Sequence, residues 1–497
     1  MSVPGLTSEI SAFVAGVSLD SVPLEVTAAA KRSVLDGLGL AVAGSRSQPS
    51  RVCREQIASY LCTAGEAAAL GTSLRIPARF AAFLNGLAIH ADDYDDTQLA
   101  VRSDRVYGLL THPTAPVLPA ALAVTQRRAG SGADLLTGYL VGVEVATKVA
   151  EAIAPRHYED GFHSTGTAGP IGAAAASARL LGLDPAHVAT ALGIGASTAA
   201  GLRENFGTMT KPLHAGRAAE SGVLAADLAA AGFSAAGDIL EARRGFFAAA
   251  GGGFDPDSIS GVLGSPWTFA SPGISIKPHP SGSLTHPAMT ALADLLKGRT
   301  VRADDVESIT VGTNRHMPNA LIHHRPADHL AAKFSMEFCT AILVIEGRAG
   351  LTQFTDAVVS RPDVQDLMKR VELVVDADAE AAGYNSMTSI VRLRLRTGEV
   401  LAASRAFATG SPSLPMSDDE LIAKFTDCLQ VGGISEAAAR AVADQVLQLE
   451  NLDSIQPIVS ASPRLTEPIR EPLADDRAAR CACPNLRSRG RALGRSS

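Results

Sequence analysis

The segment IPARFAAFLNGLAIHADDYDDT, residues 76–97, carries the pattern from which the fold and the site are inferred. Residues at helical spacing form one apolar stripe: Phe80, Phe83, Leu84, Leu87 and Ala91. This spacing predicts a buried helix over residues 76–89. A continued helix would place four polar residues on one face: His90, Asp93, Tyr94 and Thr97.

The acidic part of this segment, HADDYDDT, places four aspartates within residues 92–96. Like-charge repulsion at this density destabilises a helix, so a ligand, a cation or a basic partner is expected to offset it. The alternative is a solvated acidic helix end that leads into a loop, because runs of charge are usually solvated.

Composition limits the classes of protein to which the chain can belong. Its 497 residues are enough for two domains with substantial cores. Hydrophobic residues make up 46% and charged residues 19%, which indicates a globular chain. Aromatic residues make up only 4%, whereas alanine and glycine are abundant, which favours closely packed helices with small residues at their contacts.

Charge and cysteine usage argue against several functions. The net charge is −7, and the sequence shows no basic face with stacking aromatics of the kind that nucleic-acid binding requires. The six cysteines form neither a disulfide framework nor an iron–sulfur pattern, so a reduced, cytoplasmic setting is expected. The N-terminus lacks the features of a signal peptide, and no apolar run of about 18 residues predicts a membrane span.

The order of patterns predicts a mainly α fold, with a large all-helical domain and a smaller α+β domain. The predicted parts are helical residues 1–267, α+β residues 268–408, helices returning to the first domain over 409–456, and a disordered tail over 457–497. Helices are predicted over 23–44, 133–153, 170–182, from 185, and over 212–228, 286–296, 334–346, 418–429 and 435–449. Strands are predicted over 306–312 and 370–375, with a hairpin that turns at Thr397-Gly398.

Two histidines lie in predicted loops ahead of helices. Flanking prolines predict an extended loop around His112 and a helix from near Pro119, so this histidine is expected to face a cavity. His163 lies in DGFHSTGTAGP, a Gly-, Ser- and Thr-rich loop before a helix opened by Pro170. The backbone N–H groups of such a loop can receive a carboxylate or a phosphate. For each histidine the alternative is a purely structural role.

Two lysines also stand beside predicted helix starts. Lys211 lies ahead of a helix opened by Pro212, where a positive charge opposes the helix dipole. An anionic substrate would explain that placement, and an ordinary surface lysine is the alternative. Lys277 and His279 precede the small residues 281–283, a second anion-receiving helix start that is expected at a domain interface.

Six segments, in this order, resemble those of the MmgE/PrpD family, which includes 2-methylcitrate dehydratase, cis-aconitate decarboxylase and iminodisuccinate epimerase. They are HADDYDDT, THPTAPVLPAALA, GFHSTGTAGPIGAAAASARLLGL, FGTMTKPLHAGRAAESGVLAA, IKPHPSGSLTH and AAKFSMEF. The resemblance implies a homodimer whose active site lies in a cleft between the two domains. The family's active-site positions fall on Asp93, Thr97, His112, His163, Lys211 and Lys277. Many relatives carry one or two cysteines where this chain has His279, Ser281 and Gly282.

Together, the residues and the resemblance predict a cofactor-independent hydro-lyase similar to 2-methylcitrate dehydratase. It would dehydrate or decarboxylate a small di- or tricarboxylate after proton abstraction next to a carboxylate. His163 and His112 are assigned to proton transfer, and Lys211 to charge stabilisation with the N–H groups of residues 165–169. Asp93 is expected to orient a histidine or to help expel hydroxide. The expected substrate-binding residues are Thr97, Lys277 and His279.

Three alternatives use the same residues differently. An epimerase or isomerase of a dicarboxylate such as iminodisuccinate would place two acid/base groups on opposite faces of one carbon. A non-catalytic carboxylate-binding protein would need the cationic groups but no titrating pair. A metal enzyme would need a tight ligand set such as His-x-x-x-His, which the sequence lacks, so no metal is expected.

Overall fold

The computed structural model describes residues 5–60, 65–98, 111–153, 156–383 and 386–460. The predicted fold class is confirmed: a large helical unit is joined to a smaller α+β unit with one main sheet. Among the described residues, no helix combines the length and apolar character needed to cross a membrane.

The helical unit is formed largely by residues before 275. Its helices are α1 (Leu6–Gly16), α2 (Leu24–Gly44), α3 (Gln48–Ala58), α4 (Ala78–His90), α5 (Thr114–Arg128), α6 (Gly132–Ile153), α7 (Arg156–Glu159), α8 (Ser164–Leu181), α9 (Pro185–Ser197), α10 (Thr210–Ala230) and α11 (Phe246–Gly251). A short antiparallel ribbon consists of β1 (Ala67–Ala68) and β2 (Arg75–Ile76). Small residues allow the helices to approach closely, as predicted. A Cβ on Gly172 of α8 would lie 2.5 Å from the Cβ of Ala146 on α6.

The α+β unit follows. Its elements are α12 (His286–Leu296), β3 (Val306–Thr313), α13 (His329–Ala332), α14 (Met336–Glu346), α15 (Asp356–Val359), α16 (Pro362–Met368), β4 (Val371–Val375), α17 (Ala377–Ala381), β5 (Ser389–Leu395) and β6 (Val400–Arg405). The strand order is β4-β3-β5-β6, in which β3 and β4 are parallel and the other neighbours are antiparallel. Alternate residues of β5 are buried and pack with α12 and α14 in a core of their own.

Three further helices lie beyond the sheet: α18 (Asp418–Val431), α19 (Glu436–Val446) and α20 (Gln456–Ser460). Lys424 of α18 forms a buried ion pair with Asp36 of α2, with 2.6 Å between Nζ and Oδ1. These helices therefore pack on the helical unit. The predicted tail began too early, because Ile458 and Val459 are buried in the same core. Residues 461–497 of the predicted tail lie outside the described residues.

Two helices near the site begin earlier than predicted. Helix α5 begins at Thr114, because Pro116 lies in its first turn, where a missing N–H breaks no helical hydrogen bond. Helix α8 begins at Ser164 and contains Pro170. Pro170 has no N–H to donate to the carbonyl of Gly166. That carbonyl accepts a hydrogen bond from the N–H of Ala200 instead, at 3.2 Å.

Candidate active site

The acidic segment lies between the two units, and it is not helical. Helix α4 ends at His90, and Asp93 has a φ of 51°, in the left-handed region. The predicted common helical face is therefore wrong. The solvated alternative is also wrong, because Asp93, Asp95 and Asp96 are all buried.

The basic partner expected for the acidic segment consists of lysines of the same chain. Three of them donate hydrogen bonds to backbone oxygens of this segment. Lys333 Nζ lies 3.0 Å from Ala91 O, Lys277 Nζ lies 2.9 Å from Asp93 O, and Lys424 Nζ lies 2.9 Å from Tyr94 O. Cations at the C-terminal end of a helix also complement its dipole. The turn after α4 is thus held from outside by buried ammonium groups.

Asp93 forms ion pairs with two lysines from different parts of the chain. Lys211, in the first turn of α10, pairs with Oδ1, and Lys277 Nζ lies 3.2 Å from Oδ2. Burial alone would raise the pKa of the Asp93 carboxyl, but the charges of Lys211 and Lys277 outweigh it and hold that pKa well below its usual range. Burial lowers the pKa of Lys211, and Asp93 opposes that shift.

A cavity of about 380 Å³ opens beside this ion-pair cluster. Its polar lining residues are Asp93, His112, Lys211, Lys277 and Ser283. Its lining also includes the aromatic and apolar residues Tyr158, Phe206, Leu284, Leu321 and Phe334. The Lys211 ammonium lies 5.2 and 5.1 Å from the ring centres of the two phenylalanines. Both units contribute side chains, which agrees with the expected cleft between them.

One carboxylate holds two of the histidines. Asp95 lies 2.8 Å from Nδ1 of His90 and 3.3 Å from Nδ1 of His112, and His112 Nδ1 also lies 3.0 Å from the carbonyl oxygen of Asp96. Because a carbonyl can only accept, Nδ1 of His112 carries the hydrogen and Nε2 is its basic nitrogen. Burial lowers the pKa of both imidazoles, to about 3 for His90.

His163 lies behind the cavity and is not one of its lining residues. It precedes α8, is fully buried, and its ring stacks on that of His90 at 5.5 Å between centroids. Its Nδ1 lies 3.1 Å from Nδ1 of His214 on α10. Residues 165–169 form the first turns of a buried helix, so the loop predicted there is wrong, and anion binding by their N–H groups stays a prediction.

The structure separates Thr97 and His279 from the cavity. The backbone of Thr97 pairs with Ser275, and its hydroxyl donates to the carbonyl oxygen of Thr111 at 3.2 Å. His279 donates from Nδ1 to the carbonyl oxygen of Ala349 at 3.0 Å, and burial lowers the pKa of this imidazole to about 4. Substrate binding by either residue stays a prediction.

Other residues at the site were not predicted to act there. His90 was noted only as a helix-face residue, and Asp95 only as part of a charge run. Helical spacing could not find them, since they meet through the turn after α4. Phe206 and Phe334 lie in segments that carry the family resemblance, but a phenylalanine in sequence gives no sign of facing a lysine.

A metal could be held at one place in the described residues. One ring nitrogen from each of His90, His112 and His163 lies within 4.8 Å of the others, and His90, Asp93 and Asp95 form a second such group. Sequence spacing predicted no metal site, because these histidines are far apart along the chain.

Several curated relatives that match the chain are cis-aconitate decarboxylases. Cis-aconitate decarboxylase of Homo sapiens is 26% identical, with 92% of each chain covered. That of Mus musculus is 26% identical over 86% of this chain and 87% of the relative, and that of Aspergillus terreus is 27% identical over 94% and 97%. Site and relatives together define a lyase-type enzyme that processes carboxylates.

Two family models match the chain in succession. The MmgE/PrpD N-terminal domain matches residues 8–259, and the MmgE/PrpD C-terminal domain matches residues 279–449. The chain therefore belongs to the MmgE/PrpD family, and the resemblance seen in its sequence is confirmed.

Proposed function

We propose that this protein decarboxylates a small tricarboxylate of the cis-aconitate type, using acid–base chemistry of its own side chains. The observation that supports this proposal is the meeting of Lys211 and Lys277 at one carboxylate, Asp93, in the wall of a cavity. The two ammonium groups would attract a substrate carboxylate in a largely buried setting, where opposite charges attract more strongly than in water.

The cavity offers both cationic and apolar side chains to such a substrate. Lys211 and Lys277 would hold the carboxylates that remain. A carboxylate lying against Phe206, Phe334 and Leu284 would lose its charge as CO₂ departs, which apolar surroundings favour. The electron pair of the broken carbon–carbon bond would stay on the substrate skeleton, with its negative charge stabilised by the lysines. His112 would then deliver one proton to carbon.

Dehydration, expected from the sequence, requires a group that protonates departing hydroxide. Asp93 cannot be that acid at neutral pH, because the two lysines keep it ionised. We also propose that the enzyme is a homodimer, which light scattering after size-exclusion chromatography would test.

A panel of substrates in deuterated water tests the proposed reaction. Cis-aconitate, citrate, 2-methylcitrate and iminodisuccinate would each be incubated with the enzyme and followed by proton NMR and CO₂ release. We expect CO₂ from cis-aconitate and one deuterium in the product. Loss of water from citrate or 2-methylcitrate without CO₂ would make the enzyme a dehydratase. Deuterium exchange with inversion of iminodisuccinate would make it an epimerase, and binding without turnover would leave a carboxylate-binding protein.

Matched variants tie the activity to the site. Lys277→Met should abolish turnover, because one of the two cations is lost. Lys369→Met, which changes an exposed lysine of the α+β unit, should leave turnover unchanged. Equal activity of the two variants would contradict the assignment of this cavity as the active site.

A further inference from the structure

A row of four imidazoles extends from a partly exposed position to the cavity. His214, on α10, is partly exposed and contacts His163. His163 stacks on His90, and His90 meets His112 edge to face with 4.6 Å between ring centroids. His112 lines the cavity. Gly201 makes room for the first contact, because a Cβ there would lie 3.2 Å from Nδ1 of His214.

Two nitrogens within this row lack a partner. Nε2 of His90 and Nε2 of His163 are buried without a hydrogen bond from any described residue. A buried polar atom without a hydrogen bond is destabilising, and such atoms commonly bind an internal water or an ion. Since ring nitrogens of His90, His112 and His163 lie within 4.8 Å of one another, a single small occupant can contact all three residues.

We propose that one water molecule binds between Nε2 of His90 and Nε2 of His163. We further propose that His214, His163, this water and His112 form a proton relay from solvent to the cavity. The water site stands independently, whereas the role of the relay rests on the proposed function, in which a carbon must be protonated after CO₂ departs.

The hydrogen-bond directions allow such a relay. Asp95 accepts from Nδ1 of His90, which leaves His90 Nε2 as an acceptor for the water. His214 donates from Nδ1 to Nδ1 of His163, whose Nε2–H donates to the water. For transfer, the water passes one proton to His112 Nε2 and receives one from His163. His163 then takes the Nδ1 proton of His214, which takes one from solvent at Nε2, so one proton moves inward and no charge is left behind. The rings of His163 and His214 are left as the opposite tautomers, and both must rotate before the next transfer.

A neutral occupant fits the electrostatics better than a metal ion. Burial lowers the pKa of His90, His112 and His163, and the nearby charge of Lys211 lowers it further, although Asp95 opposes this for His90 and His112. The ammonium group of Lys211 near these rings disfavours a further cation beside it. Water can both accept and donate here, which satisfies both orphaned nitrogens.

Diffraction and metal analysis of the free enzyme test the water site without any substrate. A high-resolution crystal structure should contain a solvent peak about 2.6–3.2 Å from both Nε2 atoms. The peak should lack anomalous signal, and the purified protein should hold far less than one metal ion per chain. A stoichiometric metal at this position, or the absence of any peak, overturns the proposal.

Kinetics test the relay. His214→Gln should lower kcat about tenfold to a hundredfold with little change in KM, since His214 does not touch substrate. Added imidazole should restore much of the loss by carrying protons to His163. His187→Gln, which changes an exposed histidine paired with Asp184, is the control. It should keep the wild-type kcat, and added imidazole should not alter that kcat. An unchanged kcat for His214→Gln, or a loss that imidazole does not restore, overturns the relay. If the wild-type enzyme turns over none of the substrates, the proposed function fails, while diffraction still decides the water site.

Discussion

The carboxylate of Asp95 lies 3.3 Å from Nδ1 of His112 and thereby determines which nitrogen of that ring is basic. With the carbonyl of Asp96 on the same side, Nδ1 must donate, so Nε2 is left to exchange protons. A buried carboxylate behind an imidazole has this orienting effect in many hydrolases, where it also stabilises the protonated ring. Asp95 is therefore a positioning residue whose charge matters as much as its shape.

Replacing Asp95 with asparagine should preserve the shape and remove the charge. We expect kcat to fall by about 10²-fold or more, by analogy with the loss of such a carboxylate in a catalytic triad. Since the charge of Asp95 raises the pKa of His112, its loss should move the alkaline limb of the pH–rate profile to lower pH. Asp184→Asn, at an exposed helix cap, is the control and should leave the profile in place. An Asp95→Asn enzyme with a wild-type profile would remove Asp95 from the mechanism.

Lys211→Ala should affect both binding and stability. A lost substrate contact should raise KM at least tenfold. Asp93 would keep only Lys277, and leaving a buried charge underpaired should lower the free energy of unfolding by about 3 kcal/mol. Denaturant unfolding together with steady-state kinetics separates the two effects. Equal stability of Lys211→Ala and the wild type would contradict the ion-pair argument.

Asp96 should make stability depend on pH. Burial raises the pKa of its carboxyl to about 7, and the nearby Asp36 adds to this, whereas the hydroxyl of Thr114 opposes it. The folded protein therefore holds this proton more tightly than the unfolded chain. The stabilisation is fully present below the unfolded pKa and is lost as pH rises through about 7.

Asp96→Asn, which imitates the protonated acid, isolates this effect. Between pH 5 and pH 8, wild type should lose about 3 kcal/mol of unfolding free energy relative to the variant. Urea denaturation of both proteins at the two values provides the comparison, because other titrating groups are common to both. A pH-independent difference would show that Asp96 is already ionised at pH 5.

Local patterns in the sequence were sufficient for most of the fold. The range of α12 was predicted residue for residue, since its apolar stripe and its proline at the second position are local signals. The starts of α5 and α8 were not, because a proline that lies inside each helix was taken to mark its beginning. Whether a proline breaks a helix depends on a distant acceptor or donor, here the N–H of Ala200.

The residues of the candidate site were likewise predicted only in part. Asp93, His112, Lys211 and Lys277 were predicted individually and line one cavity. Their partners were not predicted, because Asp95 meets two imidazoles only after the turn at Asp93, a residue with positive φ. His279 was expected at the cavity because it follows Lys277, yet its ring faces the backbone of Ala349. Lys277 and His279 flank Pro278 at a bend of the chain, so which of the two side chains faces a cavity depends on tertiary packing.

Replacing His163 and replacing His112 should change the kinetic constants in different ways. His112 lines the cavity, so His112→Asn should change KM as well as kcat. His163 is buried behind the cavity, so His163→Asn should lower kcat by about 10²–10⁴ with little change in KM, as expected for a group that only transfers protons. Thermal melting of both variants must come first, since replacing a buried ring can destabilise the fold. A folded His163→Asn enzyme with wild-type kcat would exclude His163 from proton transfer and leave His112 to act alone.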